Sequence, residues 1–247
     1  MDRFITNLRG QYRMETRKVQ VTGGSTYTVS IPKSWAKENG VSAGSTVEFY
    51  PEGDSLFLTP TGGDDRTEGT LDITNLEGTQ LIRAVTTMYV SGFDIIALES
   101  GRITNDQRRT IREATQSLVG LEVLEETKGE IVIRDLLDSS ELSVHNAITR
   151  MRLVALTMLD DAIEALLSDD DDLAQDVKER DDDVDRLWYM VSRVFRTVLR
   201  NPTAADEIGF PRDTCFDFQS GARQLERIAD HATKIADLAL EVGEIPE

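Results

Sequence analysis

The sequence contains few cysteine and histidine residues, which limits the sites that it can build. Its 247 residues include one cysteine, Cys215, and two histidines, His145 and His231. A single cysteine excludes an intrachain disulfide and a CxxC zinc motif, and it is typical of a protein from a reducing compartment. Neither histidine belongs to an ExxH or HExxH pattern, which argues against a ferritin-like di-iron centre.

Long apolar runs and phosphate-binding loops are also missing. No segment approaches the ~18 apolar residues of a membrane-spanning helix, and residues 1–14 lack the apolar stretch of a signal peptide. The sequence has no GxGxxG or GxxxxGK loop, and no nucleophile with an adjacent base stands out. These absences predict a cytoplasmic protein that is not an enzyme.

The charge of the chain is acidic overall and unevenly distributed. Asp and Glu number 45 against 27 Lys and Arg, which gives a net charge of -18. Residues 1–60 hold seven basic and six acidic side chains, whereas the other 187 residues hold 20 basic and 39 acidic ones. This pattern indicates a neutral-to-basic head on an acidic body, so any contact with nucleic acid is expected to be confined to the head.

The head is predicted to have the element order β-β-α-β-β. Alternating residues and turn glycines favour strands at 17–22, 27–31, 47–50 and 56–59, and Pro32 with Gly40 brackets a short helix. Fewer than fifty residues of this kind bury little apolar surface. The head is therefore expected to form a homodimer.

Two further regions follow the head. Residues 68–136 predict a small βαβαββ block, with its first strand at 71–74 and a helix that starts in a capping box at Thr104 and Gln107. The block is expected to act as a spacer or sensor module. Residues 139–242 carry three long amphipathic patterns, separated by the connections 169–172 and 201–211, which predict a three-helix bundle. The expected fold class is α+β.

Two pairs of carboxylates share one spacing on the later helices of this bundle. Asp181 and Asp185 stand four residues apart, as do Glu226 and Asp230. Each pair falls on the flank of its helix, where like charges repel by a few tenths of a kcal/mol. In a chain with 45 acidic residues such a pair can be a solvated face. Alternatively, the four carboxylates bind a hard cation such as Mg, Ca, Mn or Fe.

The sequence segments that contain these pairs resemble motifs of a known family. LERIADHA at 225–232 resembles the motif of the PhoU family of phosphate-uptake regulators, and ERDDDVDRL at 179–187 is similar to its companion on the preceding helix. The resemblance implies that Asp181, Asp185, Glu226 and Asp230 are metal ligands. Lys234 stands where family members usually have Asn, which places a positive charge near the expected site.

The head resembles the AbrB/SpoVT swapped-hairpin domains, in which two chains interleave and bind DNA. The resemblance rests on RKV at 17–19, the turn Gly23-Gly24, VSIPKSW at 29–35, and Gly40 followed by GSTV at 44–47. It implies that DNA is contacted by Arg17, Lys18, Lys33 and Lys37. The arginine that the family has after the turn glycine is missing here, so a domain kept only for dimerisation is an alternative.

The two resemblances occur together in archaeal PhoU-like regulators, and the Arg-rich, Asp-rich composition resembles haloarchaeal members. They predict an N-terminal domain at 14–61, a linker domain at 68–136 and a PhoU-like bundle at 139–242. The expected function is a transcriptional regulator of phosphate uptake. The alternatives are an adaptor that docks on a phosphate transporter ATPase or sensor kinase without binding DNA, and a metal-dependent hydrolase.

Two points of this resemblance stay open. PhoU proteins have two three-helix repeats and this sequence has one, so the second is either lost or supplied by a dimer. Met14 is a possible natural start, because residues 1–13 lie outside the resemblance.

Overall fold

The computed structural model describes residues 15–61, 66–136, 143–201, 204–205 and 208–242. The chain divides into two compact units, residues 1–64 and residues 65–247, and the fold is α+β. The predicted boundaries at Met14 and at residue 139 lie outside the described residues, as does most of the polar segment 61–67.

The first unit consists of two antiparallel hairpins joined by a short helix. Its elements are β1 (Gln20–Thr22), β2 (Thr26–Thr28), α1 (Lys33–Glu38), β3 (Val47–Glu52) and β4 (Ser55–Pro60). Gly23 and Gly24 both have positive φ, which the tight turn between β1 and β2 requires. The order β-β-α-β-β is confirmed, and β1 and β2 are shorter than predicted.

The first unit has no core of its own in its described part. None of residues 15–61 is buried. Large apolar side chains of its strands and their flanks are more than half exposed: Val19, Val21, Tyr27, Val29, Phe49 and Leu56. A unit with this much uncovered apolar surface needs a partner surface to be stable.

The second unit begins with the predicted βαβαββ block. Its elements are β5 (Glu68–Asp72), α2 (Gly78–Val90), β6 (Ile95–Glu99), α3 (Asn105–Gln116), β7 (Leu121–Glu126) and β8 (Glu130–Asp135). The sheet order is β5-β6-β8-β7, with β5 parallel to β6 and with β8 antiparallel to both of its neighbours. The capping box of Thr104 and Gln107 is confirmed.

Local hydrogen bonds explain where two elements differ from the prediction. The first strand of the block was expected at 71–74, but it ends at Asp72 because the Asp72 carboxylate accepts bonds from the backbone and the hydroxyl of Thr74. The acidic run 169–172 was expected to be a connection. Instead, Asp170 caps the next helix and Asp171 and Asp172 lie in its first turn, where negative charge is favourable.

The three predicted helices of the bundle are α4 (Val144–Ser168), α5 (Asp171–Arg200) and α6 (Arg212–Val242). Their shared core contains many fully buried alanines, among them Ala155, Ala162, Ala174, Ala229 and Ala232. Such small side chains let helices approach closely. Across the described ranges, no helix has both the length and the hydropathy needed to cross a bilayer.

Candidate functional site

Helices α5 and α6 hold the predicted carboxylates beside the core that they share. Val184 and Ala229 are fully buried in that core, and each directly precedes one of the carboxylates, Asp185 and Asp230. The side chains of Asp181, Asp185, Glu226 and Asp230 are neither fully buried nor fully exposed. We refer to these four residues as the acidic site.

The carboxylates of the acidic site act on one another electrostatically. Burial, followed by the charge of Asp181, raises the pKa of Asp185 from 3.8 to about 6. Burial and the charge of Asp230 raise the pKa values of both Asp181 and Glu226. Negative charges from two helices thus lie close enough to make each other's ionisation unfavourable.

Three other side chains lie beside the acidic site: Lys234, and two that the sequence motifs did not predict, Tyr189 and Thr233. The Tyr189 hydroxyl donates a hydrogen bond to Asp185 Oδ2 at 3.3 Å, and a hydrogen bond from Thr233 opposes the rise in the Asp181 pKa. Both lie one helical turn from a motif residue, so the spacing in the sequence could have indicated them. Lys234 Nζ lies 3.7 Å from Asp230 Oδ2.

The donor chemistry of the acidic site suits a hard cation. Carboxylate oxygens are the ligands that Mg, Ca and Mn prefer in proteins, and their mutual repulsion is relieved when a cation neutralises them. In the ranges that the structure describes, no three His, Cys, Asp or Glu side chains are grouped so that they could hold a metal ion. A bound cation would therefore have to draw the four carboxylates closer together.

The predicted DNA-contacting residues all lie in the first unit. Arg17 and Lys18 precede β1, and Lys33 and Lys37 stand one turn apart on α1. All four are exposed. Arg17 forms an ion pair with Glu15 and also donates a hydrogen bond to the carbonyl of Thr16.

A buried arginine that no sequence pattern predicted joins the bundle to the α/β block within the second unit. Arg193 of α5 is only 4% exposed. Its guanidinium binds carboxylate oxygens of Asp94 and Asp135 at 2.7 and 2.8 Å and donates to the carbonyls of Tyr89 and Phe93. It also lies 5.0 Å from the centre of the Tyr89 ring. All four of these partner residues lie within residues 68–136, which form the block.

Two family models match parts of the chain. Residues 148–239 match the family model described as PhoU domain. Residues 20–65 match the family model described as antidote-toxin recognition MazE, bacterial antitoxin. The searches of curated proteins and of solved structures found no match.

Both matches fall on the parts of the chain where the sequence predicted such domains. The PhoU match covers α5 and most of α4 and α6, including the whole acidic site, and the MazE match covers the two hairpins with α1. Both predicted resemblances are therefore confirmed: residues 148–239 are similar to the PhoU domain, and residues 20–65 are similar to the MazE antitoxin domain.

Proposed function

We propose that this protein is a homodimeric transcriptional regulator of phosphate uptake, whose N-terminal domain binds promoter DNA and whose PhoU domain binds a divalent or trivalent metal ion. The observation that carries the proposal is the presence of both domains in one chain. A PhoU domain indicates a role in phosphate homeostasis, and a MazE-type domain indicates DNA binding. The regulator acts in the cytoplasm and is not an enzyme.

The uncovered apolar surface of the first unit supports the homodimer. Six large apolar side chains there are more than half exposed, and none of residues 15–61 is buried. Covering such side chains at ~1.5 kcal/mol each would supply roughly 9 kcal/mol before the cost of association. A second copy of the same unit offers a surface of matching size and chemistry, as closed dimers require.

The basic residues of the first unit support contact with DNA. Lys18, Lys33 and Lys37 are exposed, and pairing two units would double their number on one assembly. The rest of the chain is strongly acidic, with 39 acidic residues against 20 basic ones after residue 60. DNA is therefore expected to approach the first unit alone, since the acidic remainder repels it.

The acidic site supports binding of a metal ion by the PhoU domain. Asp181, Asp185, Glu226 and Asp230 would be its ligands, and Fe, Mn, Mg and Ca all fit their oxygen chemistry. A bound cation would supply the positive charge that these carboxylates lack. The chain itself already supplies part of that charge, because Lys234 lies beside Asp230.

The test is a gel-shift titration of a phosphate-responsive promoter fragment, with the double variant Arg17→Ala/Lys18→Ala. We expect the wild type to bind in a salt-dependent manner. The double variant should bind at least about tenfold more weakly, with a salt slope reduced by about 2, because each lost phosphate contact removes nearly one released counterion. The matched control is Arg102→Ala/Lys128→Ala, which removes two exposed basic residues from the second unit.

Equal losses in the two double variants would contradict the assignment of DNA binding to the head. The second candidate function is an adaptor that docks on a transporter ATPase or sensor kinase. It is favoured by the sequence after Gly23, where Gly24, Ser25 and Thr26 stand in place of the arginine that the resembling DNA-binding domains have. If the dimer binds no promoter fragment but is retained by such a partner, the adaptor function is correct.

A further inference from the structure

One face of α5 connects the acidic site to the α/β block. Asp185, Tyr189 and Arg193 stand four residues apart in turn, so they follow one another along the same side of the helix over about 12 Å. We call these three residues the connecting strip. Its first residue belongs to the acidic site, and its last residue binds the block.

The middle residue of the strip contacts both regions. The Tyr189 hydroxyl donates to Asp185 Oδ2 at 3.3 Å, while the Tyr189 ring packs against the hydrophobic core of the block. Burial is the largest cause of the raised pKa of Tyr189, and the charge of the Asp185 carboxylate is the next largest. A change in the charge or the position of the Asp185 carboxylate therefore acts directly on a side chain that belongs to the packing of the block.

The last residue of the strip is held firmly by the block. Arg193 donates hydrogen bonds to the carbonyls of Tyr89 and Phe93, which flank the end of α2, and it binds Asp94 and Asp135. Asp94 in turn accepts a hydrogen bond from the Thr67 backbone at 2.6 Å. A movement of α5 would therefore displace the end of α2 and the start of β6 directly, through the hydrogen bonds of Arg193.

We propose that the connecting strip couples the acidic site to the α/β block, with Tyr189 as the positioning residue that joins them. The block is then the part of the chain that responds when the Asp185 carboxylate changes its contact with Tyr189. By linkage, a change in the block alters the affinity of the acidic site for a cation by the same factor. The inference rests on the acidic site of the proposed function and does not depend on which cation fills it.

The coupling is measured first without metal, by hydrogen exchange of the amides of residues 91–95. Each of these amides donates a backbone hydrogen bond, so their exchange is slow enough to follow. The cycle comprises the wild type, Asp185→Asn, Tyr189→Phe and the double variant. Asp185→Asn neutralises one carboxylate, and Tyr189→Phe removes the hydroxyl while keeping the ring.

We expect Asp185→Asn to change the exchange rates of these amides at least about fivefold when Tyr189 is present, and to have little effect in the Tyr189→Phe background. The matched control is Asp183→Asn, which neutralises an exposed carboxylate of the same helix that pairs with Arg150. It should leave the amides of 91–95 unchanged. Equal responses in both Tyr189 backgrounds, or no response to Asp185→Asn, would overturn the coupling.

A second measurement separates this inference from the proposed metal binding. Mn²⁺ is titrated into the wild type and Tyr189→Phe by calorimetry, and the exchange of the 91–95 amides is repeated at saturation. We expect Mn²⁺ to change this exchange in the wild type and to do so less in the variant. If the wild type binds no Mn²⁺, the proposal that the PhoU domain binds metal is wrong. The metal-free mutant cycle still tests whether the acidic site and the block are coupled.

Discussion

Replacing the buried arginine between the bundle and the block should destabilise the second unit strongly. Arg193→Met keeps an apolar stem of similar length and removes the guanidinium. Asp135, whose side chain is 9% exposed, then loses its buried cation, and the carbonyls of Tyr89 and Phe93 lose a donor. Removing one partner of a buried ion pair costs about 3–5 kcal/mol. We expect about 3 kcal/mol, because the side chain of Asp94 is 31% exposed and reaches water.

The loss is measured by urea unfolding and by thermal melting followed by circular dichroism. For a unit of this size, about 3 kcal/mol corresponds to a decrease in Tm of roughly 6–12 °C. The melts are run in 0.2 M and 2 M KCl. A buried pair is screened weakly by salt, so the effect of Arg193→Met should persist at high salt.

The control is Arg150→Met, which removes an arginine from an exposed ion pair on the same bundle. Arg150 lies 3.2 Å from Asp183, and the two side chains are 62% and 54% exposed. This change should cost less than about 0.5 kcal/mol, and its effect should vanish in 2 M KCl. If the free energy of unfolding of Arg193→Met lies within about 1 kcal/mol of the wild-type value, the ion-pair network does not hold the block to the bundle.

Three further predictions concern the acidic site and the first unit. The raised pKa of Asp185, about 6 against 3.8, means that its contribution to stability is present below pH 4 and is lost as the pH rises through 6. Asp185→Asn should therefore stabilise the metal-free protein by ~1 kcal/mol at pH 7.5, after allowance for solvent screening. In urea unfolding, the free energy of unfolding of this variant should depend less on pH between pH 4 and 7. A variant less stable than the wild type at pH 7.5 would contradict the raised pKa. Lys234→Gln removes a positive charge beside Asp230 and should raise Mn²⁺ affinity several-fold in calorimetry, whereas Lys178→Gln, which breaks the Lys178 to Asp237 pair on the same two helices, should not. Val21→Asp should convert the dimer to a monomer in sedimentation velocity, while Leu153→Asp, at a similarly exposed site on α4, should leave it dimeric; a dimeric Val21→Asp variant would exclude this surface as the interface.

Short-range patterns carried most of what the sequence predicted correctly. The capping box at Thr104 needs only a hydroxyl and a glutamine three residues apart, and it starts α3 as expected. The carboxylate pairs lie beside the bundle core because helical spacing alone puts Asp185 next to Val184 on the edge of the apolar stripe. Each of these features depends on residues within about one turn of each other.

Features that depend on distant partners were not predictable. Arg193 stands among Val191, Val194 and Phe195 in an apolar stripe, and nothing nearby shows that its guanidinium is satisfied. The carboxylates that bind it lie 99 and 58 residues away, so only the packing of α5 on the block explains its burial. Of the run 169–172, predicted as a connection, Asp169 and Asp170 do lie between α4 and α5, but the helix already begins at Asp171 because the Asp170 side chain caps it.

The absence of buried residues from 15 to 61, the described part of the first unit, makes its folding depend on how much protein is present. If two copies must pair before either hairpin is covered, pairing and folding are one equilibrium, and each tenfold dilution weakens the paired state by about 1.4 kcal/mol. The bundle has its own core and escapes this penalty. At low protein concentration, therefore, the bundle would stay folded while the first unit remained unpaired, so the fraction of first units that are folded would depend on the expression level.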